Sequence, residues 1–175
     1  TGYDTTTSET AICNYESNGL TDNAKNQISS TKWYLGNVVW TDEVGYGTTK
    51  EIYTQERSAS VWSGNKQTWD GKVALIYPSD YMYASSNCYN NGRIGYRYDN
   101  STCTSTNWLF SGNHYWTMSP SSYDSKHVMI VYNSGFMNSS VAYYTSNGLR
   151  QSVYLDSSVK YIGGDGTLSD PFIIK

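Results

Sequence analysis

The sequence predicts an α+β domain of short N-terminal helices, small antiparallel sheets and long loops. Three observations carry this. The background is rich in Gly, Ser, Thr and Asn, with charged residues at only 15%, which argues against a mainly helical chain. Helical spacing of apolar residues is confined to short stretches before residue 85. After Tyr115 the apolar residues instead fall in short alternating, β-branched and aromatic runs separated by turn residues. At 175 residues and 19.7 kDa one domain is expected over residues 1–175, long enough to bury a core. The start, Thr1-Gly2-Tyr3-Asp4, reads as the edge of a longer precursor.

Taken in order, Ala11, Ile12 and Tyr15, then Leu20, Ala24 and Ile28, have the spacing of one helix face. Thr21 and Asp22 are candidate caps, and Gly19 divides the segment. Trp33 to Trp40 is aromatic and β-branched and predicts a strand. Thr48 to Arg57 predicts a short helix. Gly71 to Tyr77 predicts a buried strand ended by Pro78, and Ser79 to Ala84 a short helix capped by Ser79 or Asp80. Residues 85–107 read as a long polar loop. Four strands are then expected around 115–118, 128–132, 140–144 and 150–155, with Asn133-Ser134-Gly135 as a hairpin turn. The tail predicts a strand pair, Val159 to Ile162 and Phe172 to Ile174, around a Gly-Asp-Gly turn.

Cys88 and Cys103 flank that loop in surface-like settings. A disulfide between them would stabilise by roughly 3 kcal/mol through loop closure. Two reduced, unrelated thiols are the alternative. An oxidising, extracellular setting follows from the pair. Cys13 reads as a small helix-core residue.

The net charge is −3 and the pI near 5.2, so the basic footprint of a nucleic-acid binder is absent. No run approaches the roughly 20 apolar residues of a membrane span. Tyr is the dominant aromatic, 18 residues against 6 Trp and 3 Phe. Tyr packs through its ring and keeps a polar handle, and with Ser and Asn it builds recognition surfaces. Between Trp116-Thr117-Met118-Ser119-Pro120 and Gly148-Leu149-Arg150 the chain is written mostly in Tyr, Ser, Asn and small residues. That segment reads as a binding face held in an apolar frame. Trp33, Trp40, Trp69, Trp108 and Trp116 read as core, with Trp62 unassigned. Tyr143 and Tyr144 cannot both face outward from a regular strand. Arg150 is expected to pair with backbone or a carboxylate within the frame.

Several motifs resemble one family. They are Trp33-Tyr34-Leu35-Gly36, the run from Trp69-Asp70-Gly71-Lys72-Val73 to Tyr77-Pro78-Ser79-Asp80-Tyr81, Asn107-Trp108-Leu109, Trp116 to Pro120, Gly148-Leu149-Arg150, and Gly163 to Thr167 with Pro171. Recurring in order over nearly the whole chain, they are similar to bacterial secreted and pilin-like surface proteins. The resemblance implies a C-type-lectin-like fold, of the type shared with the formylglycine-generating-enzyme-like group. Some such domains are variable proteins of diversity-generating retroelements, whose surface positions descend from Asn-type template codons. It implies that Ser122, Tyr123, Asp124, His127, Tyr132, Asn133, Phe136, Asn138, Ser140 and Tyr144 lie in a variable ligand-binding set. Lys126, Met129, Met137 and Gln151 would lie outside it. One departure is Gln151-Ser152, where the family has Pro-Val.

No catalytic constellation emerges. The formylglycine-type enzymes need reactive cysteines toward the C-terminus, and no cysteine follows Cys103. His114 and His127 have no metal-ligand spacing around them. The proline-containing sugar loop of calcium-dependent lectins is missing, and Gly163 to Thr167 has too few carboxylates for a calcium cage. No catalytic residue, metal or cofactor is therefore expected. The expectation is an extracellular or cell-surface adhesion module binding a protein or glycan on another cell, phage or host surface. An anchor or pilus partner would attach through the region before Thr1. The rival readings are a structural pilus or surface subunit and a formylglycine-generating-type enzyme.

Overall fold

The computed structural model describes residues 20–39, 47–90, 101–144 and 146–175. The described chain is a mixture of short helices and small sheets, the α+β class expected. It divides into two compact units, one made of described residues in 32–69 and 74–152, the other of residues 20–31, 70–73 and 153–175.

Strand β1 (Thr31–Tyr34) pairs with β2 (Thr68–Gly71), and α2 (Thr49–Glu56) lies between them in sequence. The α2 helix starts on a capping box: the Glu51 N–H donates to Thr48 Oγ1 at 3.3 Å and Glu51 Oε2 accepts from the Thr48 N–H at 2.7 Å. The expected strand 33–40 stops at Tyr34, because the backbone turns there to meet α2. The Gly36 N–H donates to Glu56 O at 3.0 Å, and a Cβ on Gly36 would stand 2.2 Å from Gln55 O. Val38 then makes an isolated parallel bridge to Ser121.

Strand β3 (Val73–Leu75) pairs with β8 (Gln151–Val153), and α3 (Pro78–Tyr83) follows directly. Neither expected residue is its N-cap: Pro78 occupies the first helical turn, where its missing N–H costs nothing, and Tyr77 precedes it. Asp80 instead reaches back, its Oδ2 accepting from the Tyr77 N–H at 2.8 Å.

The expected polar loop 85–107 is overturned where it is described. It folds into α4 (Ser86–Asn90) and α5 (Ser101–Thr106). Cys88 and Cys103, on these two helices, are disulfide-bonded. Their setting is not surface-like, since both lie inside the main core with Val38, Ile52, Tyr81, Met129, Val131 and Met137. Small polar side chains can still form these helices because the staple and the core, not propensity, hold them.

A four-stranded sheet in the order β6-β5-β4-β7 forms the centre of the first unit, from β4 (Tyr115–Pro120), β5 (His127–Val131), β6 (Met137–Val141) and β7 (Gly148–Leu149). The turn at 132–136 is the expected hairpin: the Tyr132 N–H donates to Phe136 O at 2.9 Å, and Gly135 takes φ +87°. The expected strand at 140–144 is shifted, ending at Val141, and the one at 150–155 shortens to β8, which pairs with β3, while β7 just before it joins the four-stranded sheet. A second apolar cluster gathers Trp33, Leu35, Leu75, Tyr77 and Met118, with Trp69 and Trp116 packed against it.

In the second unit, α1 (Asp22–Asn26) is capped by Thr21, whose Oγ1 accepts from the Ala24 N–H. The helix buries no residue, so the expected apolar face is not used there; Ile28, beyond its end, is the buried residue and bridges to Leu155. The helical reading of Ala11, Ile12 and Tyr15, Cys13, Trp40, and the carboxylates Asp42 and Glu43 lie outside the described residues. The tail forms the expected pair, β9 (Tyr161–Gly163) with β10 (Ile173–Ile174), antiparallel across a turn in which the Asp165 and Gly166 N–H groups donate to Asp170 O.

Candidate binding face

The expected ligand-binding residues fall into three places on the four-stranded sheet. Ser122, Tyr123, Asp124 and His127 lie at the corner joining β4 to β5, and Tyr144 just past the end of β6. The corner and the β6 end meet: His127 pairs with Val141, and the Ala142 N–H donates to Lys126 O at 2.8 Å. Tyr132, Asn133 and Phe136 form the hairpin turn at the opposite end of β5, about 17 Å away at the usual rise per residue. Asn138 and Ser140 pair with Ile130 and Val128, which places them on the face of the sheet opposite to His127. A single contact patch therefore does not gather the whole set.

The corner is braced from below. The Ser122 N–H donates to Val38 O, and the Trp62 indole N–H to Ser121 O at 3.0 Å. Ser121 is buried and its Oγ accepts from the Tyr123 N–H at 3.2 Å. On this base Asp124 Oδ1 accepts from the Lys126 N–H at 2.7 Å and meets His127 Nδ1 at 2.7 Å. The His127 hydrogen bond, followed by that from Lys126, holds the Asp124 carboxyl below its ordinary range, so it is ionised at neutral pH. The Tyr123 ring meets the His127 ring edge-on at 5.0 Å. Tyr123 is 59% exposed, Tyr143 75% and Tyr144 57%, so three large rings stand in water at one corner. The last two lie nearly parallel, at 12° with centroids 6.3 Å apart.

The far turn is more closed. Tyr132 stacks on Phe136 at 4.7 Å and meets the His114 ring edge-on at 4.0 Å, while Phe136 packs against the main core. These rings support the hairpin more than they present it.

Tyr143 was missed, because strand alternation sends one of two neighbours inward; β6 ends at Val141, and both rings are freed in the turn beyond. The Ser-Asn-Gly composition after Tyr144 was the available signal. Trp108, expected in the core, is 75% exposed. Its neighbours take the inward positions: Asn107 Nδ2 donates to Tyr81 O at 2.8 Å and Leu109 is buried. Arg150 finds no carboxylate among the described residues and lies instead over the Tyr115 ring at 5.1 Å.

One other group of polar residues bears on chemistry. Glu56 is fully buried and accepts from Arg57 Nη1 at 2.5 Å, from the Ser79 N–H at 3.2 Å and from Ser79 Oγ. Burial outweighs these donors and pushes its carboxyl up to about 7. Among the described residues no three His, Cys, Asp or Glu side chains gather as metal ligands, and no helix is long and apolar enough to cross a membrane. Comparison of this chain with protein-family models, with curated proteins and with solved structures finds no match.

Proposed function

We propose that this chain is an extracellular or cell-surface binding module with a C-type-lectin-like fold, and that its ligand docks on the corner formed by Tyr123, Asp124, His127, Tyr143 and Tyr144. The observation that carries this reading is the three exposed tyrosines on a corner braced by buried hydrogen bonds. Stiff amphipathic rings on a rigid base bind at low entropic cost. The buried Cys88–Cys103 disulfide supports an oxidising location. The same corner is the part of the Tyr/Ser/Asn segment where sequence diversification would alter recognition without touching the core.

Arrays of glycans and of bacterial and host surface proteins, probed with the wild type and the Tyr123→Ala/Tyr143→Ala/Tyr144→Ala variant, test this. Anchor truncation costs about 2 kcal/mol or more, so hits should vanish in the variant while its melting temperature stays unchanged. Identical hits for both proteins would sink the reading. A second reading, a structural surface subunit, is favoured by the tail ribbon, where Tyr161, Ile162, Phe172 and Ile173 are all more than half exposed. Concentration-dependent self-association, abolished by Ile162→Lys, is its signature.

A further inference from the structure

We infer that the tyrosine corner takes a cationic side chain of a protein partner, an arginine or lysine placed against the tyrosine rings and the Asp124 carboxylate. This rests on the binding-face reading above and narrows it to one ligand chemistry.

Three observations carry it. First, among the described residues the two hydrogen bonds to the Asp124 carboxylate, from His127 Nδ1 and from the Lys126 N–H, both fall on Oδ1, which leaves Oδ2 as an acceptor. The side chain is 44% exposed, within reach of a ligand. Second, Tyr123, next to Asp124 in the chain, and Tyr143 and Tyr144, on the segment joined to the corner through the Ala142 N–H and Lys126 O, are exposed rings, and ring faces attract cations. Third, the molecule holds a finished internal example of the same chemistry. The Arg57 guanidinium lies over the rings of Tyr53, at 3.8 Å, and Tyr77, at 4.5 Å, while bonding the Glu56 carboxylate. The corner presents those components, tyrosines and a carboxylate, with an acceptor oxygen to spare. The net charge of −3 adds a weak long-range pull on a basic partner.

Among the described residues, the charged and titratable groups at the corner are Asp124, Lys126, His127 and the tyrosine hydroxyls. Lys126 holds Asp124 through its backbone N–H, so its exposed ammonium adds repulsion toward an incoming cation and no needed contact. Removing that ammonium should therefore tighten binding.

The test is an NMR titration of the intact chain with N-acetyl-arginine amide and, in parallel, with the neutral isostere N-acetyl-citrulline amide. Arginine should shift the ring signals of Tyr123, Tyr143 and Tyr144 and the Asp124 amide, with citrulline weaker by about fivefold, the scale of an exposed cation–π contact. Asp124→Asn keeps an acceptor at Oδ1 and should lower arginine affinity by a similar factor while the amide spectrum stays dispersed as in the wild type. Lys126→Ala should raise it. Equal affinity for citrulline, or arginine shifts that map elsewhere, would overturn the cation assignment. That failure is separable from failure of the binding face, which the array experiment reads with the triple tyrosine variant.

Discussion

Glu56 shows what one residue contributes when the chain encloses it. It joins α2 to the start of α3 through Ser79, and Arg57 covers it from the solvent side. Its carboxyl is held at about 7 in the fold against 4.5 as its ordinary value, so the folded state binds the proton more tightly than the unfolded chain. Stability from this group is therefore greatest below about pH 4.5 and declines as pH rises to about 7, by up to about 3 kcal/mol. Glu56→Gln removes this slope. Urea denaturation at pH 5 and pH 8 should show the wild type losing stability relative to the variant over that interval, and a gain would refute the assignment. Asp124 behaves oppositely, its depressed carboxyl favouring the fold as pH rises out of the acid range. Glu56 stands beside Arg57 in the chain, but nothing local in the sequence says that Ser79 will cover the pair.

At the scale of elements, turn chemistry was the most readable signal. Gly135 was read as a hairpin glycine, and it adopts φ +87°. A Cβ there would also stand 1.8 Å from Thr104 Cγ2 on α5, a contact between elements that no turn rule contains. Gly135→Ala should cost about 2 kcal/mol or more, from left-handed backbone strain plus that clash, read as a lower urea midpoint at unchanged slope. The stapled helices α4 and α5 are the opposite case. Ser-Asn-Cys-Tyr-Asn and Ser-Thr-Cys-Thr-Ser-Thr carry no helical propensity worth reading, and they were taken for loop. Their disulfide spans a sequence separation of 15. Cys88→Ser/Cys103→Ser should destabilise by about 3 kcal/mol or more, since two buried hydroxyls replace a packed bond. A urea midpoint matching the wild type's would show that the staple is dispensable.

Across the whole chain, the exposed rings divide by role. The triple variant at Tyr123, Tyr143 and Tyr144 removes surface that the fold does not bury, so binding and stability separate there. Truncating Tyr81 or Tyr115, both buried and hydrogen-bonded to Gly135 O and Leu109 O, should instead cost 3 kcal/mol or more of stability, on the order of other buried aromatic truncations. What the sequence by itself determined was the α+β class, the α2 helix, the 132–136 hairpin and the tail ribbon. Each rests on interactions within a few residues, or on a composition that only one structure satisfies. Only the tertiary structure decided that the ten expected binding residues divide among a corner, a turn and a sheet face, that Tyr143 joins the corner, and that Trp108 leaves the core. Those outcomes depend on where β6 ends and on which strand residue faces which neighbour. Strand ends and register are set by packing between distant segments, and a one-residue slip in register reverses the faces of a strand's side chains without changing any local pattern.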